Sequence, residues 1–137
     1  MNIVHDFAKR VVSQYDIKGP ILDIGAGDKP IKYIFEPREY KGLDITEGSD
    51  IKADAHKIPL ENESYPTIIS IESIEHFQNP FQVFKEISRV LQPDGYFILT
   101  TVWQWPIHKH PTDYWRFTPD CITLLMKENN IEPILVE

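Results

Sequence analysis

Two short runs, ILDI at residues 21–24 and TIISI at 67–71, are apolar almost without a break. A strand with one wet face alternates apolar and polar side chains, whereas runs of this kind suit strands covered on both faces, as in parallel sheets. Around them the spacing becomes helical. Ile3, Phe7, Val11 and Tyr15 recur every four residues, and Phe81, Phe84, Ile87 and Leu91 line one face behind Asn79-Pro80, which reads as an N-cap and a first helical residue. Parallel neighbours need crossover helices, so this alternation implies an α/β fold with a mostly parallel sheet. The 137 residues suit one domain, residues 1–137.

The remaining elements follow from local signals. Pro30 suits the first turn of a helix over residues 31–35, which Pro37 ends. YKGLDI is a second strand and IKADA, residues 51–55, a brief third; the stretch around Pro59 reads as loop or short helix. Pro93-Asp94-Gly95 is a turn, YFILTTV a strand, residues 119–129 a helix, and EPILVE a final strand. The single Cys121 excludes an intrachain disulfide and a cysteine zinc site, and reads as a small buried thiol. A net charge of -7 disfavours nucleic acid as a partner. No apolar run approaches the roughly 18 residues that span a bilayer, and the charged N-terminus is no signal peptide, so a cytoplasmic protein with a small-molecule substrate is expected.

The loop in PILDIGAGDKPIK faces the end of a strand where α/β sheets bind ligands. Gly25 and Gly27 let the backbone turn sharply and approach a ligand. A dinucleotide fingerprint needs a third glycine where this chain has Pro30, and Asp28 sets a negative charge in the loop. Phosphates are therefore poorly served, and no Gly-Lys-Ser/Thr follows. Asp44, nineteen positions after Gly25, ends the second strand and can accept from both ribose hydroxyls; Asp54-Ala55 follows ten positions later, placed for an adenine. Alone, either aspartate would read as a turn carboxylate. Together these features suit a ligand with a ribose, an adenine, no phosphate and a positive charge, which is S-adenosylmethionine (SAM).

The chain resembles the class I SAM-dependent methyltransferases of the small "type 11" kind. The resemblance is carried by ILDIGAGDKP, YKGLDI, DAHKIPL, IISIESIEHFQNP and FKEISRVLQPDGYFILTT. It implies a Rossmann-like three-layer sandwich, SAM as cofactor and S-adenosylhomocysteine as product. By this resemblance Asp23, Gly25, Ala26 and Gly27 shape the methionine end, Asp44 and Ile45 take the ribose, and Asp54 and Ala55 the adenine. Ser70, Ile71 and Glu72 would close the pocket from the fourth strand. The family continues into a seventh, antiparallel strand, which this sequence lacks before Glu137. The edge beside the fifth strand would then be covered by the last strand or by a second protomer, or the chain is a shortened relative.

Methyl transfer from a sulfonium depends mainly on positioning the acceptor, with a general base where the acceptor must lose a proton. His76, beside Glu75 after the fourth strand, is the candidate base, against the alternative that it only braces the segment. Residues 103–120, WQWPIHKHPTDYWRFTPD, match the family's H-x-x-P-x-D-Y-x-R-[YF]-T segment and would form the acceptor pocket. Its candidates are His108, His110, Asp113, Tyr114 and Arg116. Arg116 could offer its fork to an anionic acceptor, or pair with Asp113 and hold the loop shut. His108, His110 and Asp113 also suggest a metal, but nothing in the sequence makes them converge, and no metal is assigned. The leading reading is a methyltransferase acting on a small-molecule, saccharide or lipid-linked acceptor. A non-catalytic SAM-binding or interaction module is the alternative, and an NAD-dependent enzyme a third.

Overall fold

In a computed structural model describing residues 3–137, five strands form one sheet in the order β3-β2-β1-β4-β5, every neighbouring pair parallel. The strands are β1 (Ile21–Ile24), β2 (Tyr40–Asp44), β3 (Ile51–Lys52), β4 (Tyr65–Ile71) and β5 (Leu91–Thr100), with helices α1 (Ile3–Gln14), α2 (Pro80–Val90) and α3 (Pro119–Glu128). The unbroken apolar runs have the reason expected of them. In β1, Ile21 packs with Ala8 and Val11 of α1 on one face, while Leu22 and Ile24 pack with Val83, Ile87 and Val90 of α2 on the other. Each such buried side chain contributes about 1.5 to 3 kcal/mol of transfer free energy.

The amphipathic faces are turned slightly from their sequence pattern. Ile3 is exposed, and Ala8 and Val11 carry the burial of α1; on α2, half-exposed Phe81 meets the Trp115 ring edge-on. Asn79 does cap α2, its side chain accepting from the Gln82 amide at 3.2 Å. The loop between β3 and β4 is stapled to this helix. Arg89 donates to the carbonyls of Ile58 and Leu60 at 2.8 and 2.7 Å, and Glu86 accepts from the Ile58 amide at 2.7 Å.

Three expectations need correction. The helix expected over residues 31–35 is one 3-10 turn at Lys32–Ile34, since so few residues between Pro30 and Pro37 barely extend beyond the unfavourable nucleation step. Residues 132–137 form no strand; Ile134, Leu135 and Val136 are exposed, and Glu137 instead pairs with Arg10. Cys121 is half-buried rather than buried. The turn at Pro93-Asp94-Gly95 lies inside β5, where pairing steps from Tyr65–Leu91 to Thr67–Tyr96 and Asp94 takes a φ of 60°. No helix among the described residues is long and apolar enough to cross a membrane.

Candidate active site

The strand order reverses between β1 and β4, and the predicted site residues gather at the carboxyl ends of β1, β2, β3 and β4, where open α/β sheets form their ligand crevice. After β1 the chain turns through Gly25 and Gly27, at φ 74° and 49°. A Cβ on Gly25 would stand 2.6 Å from the Cβ of Ser73, so this glycine lets the loop close onto the segment after β4. A Cβ on Gly27 would meet nothing within 4 Å, which makes Gly27 the open floor of a cradle. Ala26 is buried beneath it.

The rim of the cradle is acidic. Asp44 accepts from the Gly27 amide at 3.0 Å and from the amide and hydroxyl of Thr46 at 2.9 and 2.6 Å. Burial pushes its pKa up, but these hydrogen bonds outweigh that and hold it below the usual carboxylate value. Ile45 beside it is 72% exposed, an apolar surface free to lie against a ring. Asp54, also held below its usual pKa, accepts from the amide and ring of His56 at 2.9 and 2.5 Å. His56 in turn accepts from the Asn79 amide at 3.1 Å, which ties the end of β3 to the start of α2. Sequence reading missed this role of His56, although its place in DAHKIPL was a signal.

These residues fit SAM better than a dinucleotide. Lys29, the loop's own cation, is engaged by Asp50 at 2.8 Å, and no α-helix starts at the loop to face a pyrophosphate. The open floor at Gly27 and carboxylates free to accept from hydroxyls and amines suit a cationic nucleoside.

Two predicted cofactor residues support the cradle instead of lining it. Asp23 is buried and accepts from the Tyr40 hydroxyl; desolvation raises its pKa to about 7, against the lowering effect of that hydrogen bond. Ser70 is 1% exposed and donates to the Ile24 carbonyl at 3.1 Å. Ile71 is half-buried on the α1 face. Glu72 takes a left-handed φ of 51°, its amide held by the Thr100 carbonyl at 3.0 Å, and burial followed by the nearby Glu75 raises its pKa. Such strain in a non-glycine residue is typical of ligand-binding turns.

A second group of side chains lies just beyond. Glu75 is 1% exposed, its Oε2 accepting from Thr101 at 2.8 Å and its Oε1 without a donor. The Tyr114 and Trp115 amides donate to the Glu75 carbonyl at 2.8 and 3.3 Å, which docks the 103–120 loop onto the turn after β4. That loop delivers His108, whose Nε2 is 3.1 Å from Nε2 of His76. Arg116 is paired in bidentate fashion with Asp113 at 2.5 and 2.8 Å and also donates to the Trp105 and Trp115 carbonyls. The loop-closing pair is therefore the arrangement found, and it holds the Asp113 carboxyl well below the usual range. Tyr114 is exposed near Gln78, and His110 lies exposed outside the cluster. Among the described residues, the histidine that joins Glu75 and His76 is His108.

A family model described as a methyltransferase domain matches residues 22–99. Fatty-acid O-methyltransferase of Mycolicibacterium smegmatis is 29% identical over 108 residues, 64% of this chain and 39% of that protein. Phthiotriol/phenolphthiotriol dimycocerosates methyltransferase of Mycobacterium tuberculosis is 26% identical over 116 residues, 71% of this chain and 42% of that one. The chain thus spans about two fifths of the length of these curated relatives. Among solved structures, the YcgJ protein from Bacillus subtilis superposes with a TM-score of 0.76 at 20% identity, over 91% of this chain and 68% of that one. The cyclase SpnF superposes with a TM-score of 0.72 at 15% identity, over 91% and 56%. At such identities the likeness establishes the fold, which serves more than one chemistry. The family match is what decides: it runs from β1 to the end of β5, over more than half of the chain, and the protein belongs to the SAM-dependent methyltransferases.

Proposed function

We propose that the chain is the catalytic domain of a methyltransferase that uses SAM to methylate an oxygen of an apolar, lipid-like small molecule. The observation that carries this reading is the cradle: an open glycine floor at the end of β1, with Asp44 ending β2 and Asp54 two residues beyond β3. In it the Ala26 and Gly27 backbone holds the methionine end, Asp44 accepts from the ribose with Ile45 alongside, and Asp54 and the Ala55 backbone take the adenine. When bound, the cofactor supplies a methyl group already activated on a sulfonium.

The acceptor end is assigned to the turn after β4 and the 103–120 loop. Ser73 joins it to the cradle, donating to the Gly25 carbonyl at 2.9 Å. Oε1 of Glu75 is a buried acceptor without a donor there, 3.9 Å from Nε2 of His76, so an acceptor hydroxyl or carboxyl would leave its proton at this cluster. His108, His110, Asp113, Tyr114 and Arg116 line or brace that end. An apolar acceptor is supported by exposed Trp103, Trp105 and Ile107 on that loop. The names of the lipid-modifying relatives point the same way.

The test is calorimetric titration with SAM and S-adenosylhomocysteine, followed by assay of S-adenosylhomocysteine release with fatty acids and hydroxylated lipids against sugars and small polar amines. Binding with turnover on lipids is expected. Binding with no turnover on any acceptor would favour a non-catalytic module.

A further inference from the structure

The imidazole of His76 directs Nδ1 at the Thr112 carbonyl, 2.9 Å away. An oxygen acceptor there fixes the proton on Nδ1 and leaves a lone pair on Nε2. In His108, Nδ1 lies 3.1 Å from Oδ2 of Asp113, short of good hydrogen-bond alignment but beside a carboxylate that favours a proton on the same nitrogen. Its Nε2 then also carries a lone pair, and it faces Nε2 of His76 across 3.1 Å. The third atom is Oε1 of Glu75, 3.9 Å from Nε2 of His76, buried and without a donor.

Electron-rich atoms turned toward one point need a cation among them. A proton between the two imidazoles would serve those two and leave Oε1 unpartnered, whereas a metal ion serves all three. We propose that Glu75, His76 and His108 bind one divalent transition-metal ion, with zinc as the representative of its class. Two imidazoles and a carboxylate form a typical ligand set for zinc and its first-row neighbours. Their supports resemble those of metal sites, with a carbonyl behind one histidine, a carboxylate behind the other and a hydroxyl fixing the free rotation of Glu75. Asp113 is itself locked by Arg116.

The three donor atoms lie within 4.8 Å of one another. Tetrahedral bonds of about 2.1 Å set two ligand atoms on one ion about 3.4 Å apart, so capture draws the widest pair together by roughly 1.4 Å. Three protein ligands leave a position open. Its use by an acceptor oxygen rests on the methyltransferase reading, whereas binding of the ion does not.

The experiment uses tag-free protein stripped with a chelator and titrated with Zn2+ in competition with a chromophoric chelator, with Co2+ absorption as a second readout. One equivalent is expected, with zinc raising the Tm. His76→Ala and His108→Ala should each weaken binding roughly 100-fold or more and abolish the Co2+ bands, while Asp113→Asn should weaken it about 10- to 100-fold. His110→Ala, in the same loop, should leave metal binding unchanged. Circular dichroism verifies folding, and Glu75→Gln, close in shape, tests the carboxylate should an alanine variant unfold. Absence of saturable binding, or binding that survives both His76→Ala and His108→Ala, would overturn the proposal. Zinc binding without SAM binding would sink only the cofactor reading, and the converse only this one.

Discussion

The hydroxyl of Ser73 stands 2.9 Å from the carbonyl oxygens of both Gly25 and Ile71, so its one proton is shared between the glycine loop after β1 and the end of β4 that leads to Glu75 and His76. The junction needs a residue without a side chain at position 25, because the backbone is left-handed there and a Cβ would collide with Ser73.

Gly25→Ala should therefore cost about 2 to 4 kcal/mol, combining left-handed strain with overpacking. Gly27→Ala, with nothing near its Cβ, should cost only about 1 kcal/mol of strain while still obstructing the cradle. Urea unfolding measures both, and equal losses would contradict this account of the loop.

Asp44→Ala should weaken SAM binding by about 1.5 to 3 kcal/mol, the scale of hydrogen bonds involving a charged partner. The affected groups at Gly27 and Thr46 lie at the exposed rim, so stability should change far less. Titration calorimetry paired with thermal unfolding separates the two effects; unchanged affinity would mean that the ribose sits elsewhere.

Buried Asp23 should impose a pH dependence on stability. Its folded pKa of about 7 exceeds the unfolded value of 3.8, so between these the folded state binds the extra proton and stability falls as pH rises. Asp23→Asn, which keeps an oxygen for the Tyr40 hydroxyl, should remove that slope. The variant should gain on the wild type from about pH 4 to 7 and hold its advantage above, as measured by denaturant midpoints across this range. A constant difference would show that Asp23 does not titrate there.

Arg116→Met should lower the Tm and loosen the 103–120 loop by leaving the Asp113 carboxylate without its cation. Adding Asp113→Asn should recover part of the loss. Limited proteolysis of the loop follows the change directly, and a double variant no better than Arg116→Met would argue against the pair as the clamp.

The apolar strands β1 and β4 and the helices α1 and α2 were legible in the sequence, because these depend on neighbouring residues. ILDI is buried on both faces, Asn79 caps α2 through the amide three residues on, and Gly25 and Asp44 stand where β1 and β2 end. The rest depended on contacts between distant parts of the chain. Six mostly apolar residues at 132–137 suggest a strand, but a strand exists through a partner, and none pairs there. His108 reaches His76 from 32 positions away while His110, two residues on, lies outside the cluster, a choice made by the docking of Tyr114 and Trp115 on the Glu75 carbonyl. Propensity and spacing act along the chain over a few residues. The convergence of two imidazoles on a buried carboxylate depends on where a long loop comes to rest, and that is fixed by packing and by hydrogen bonds across the fold.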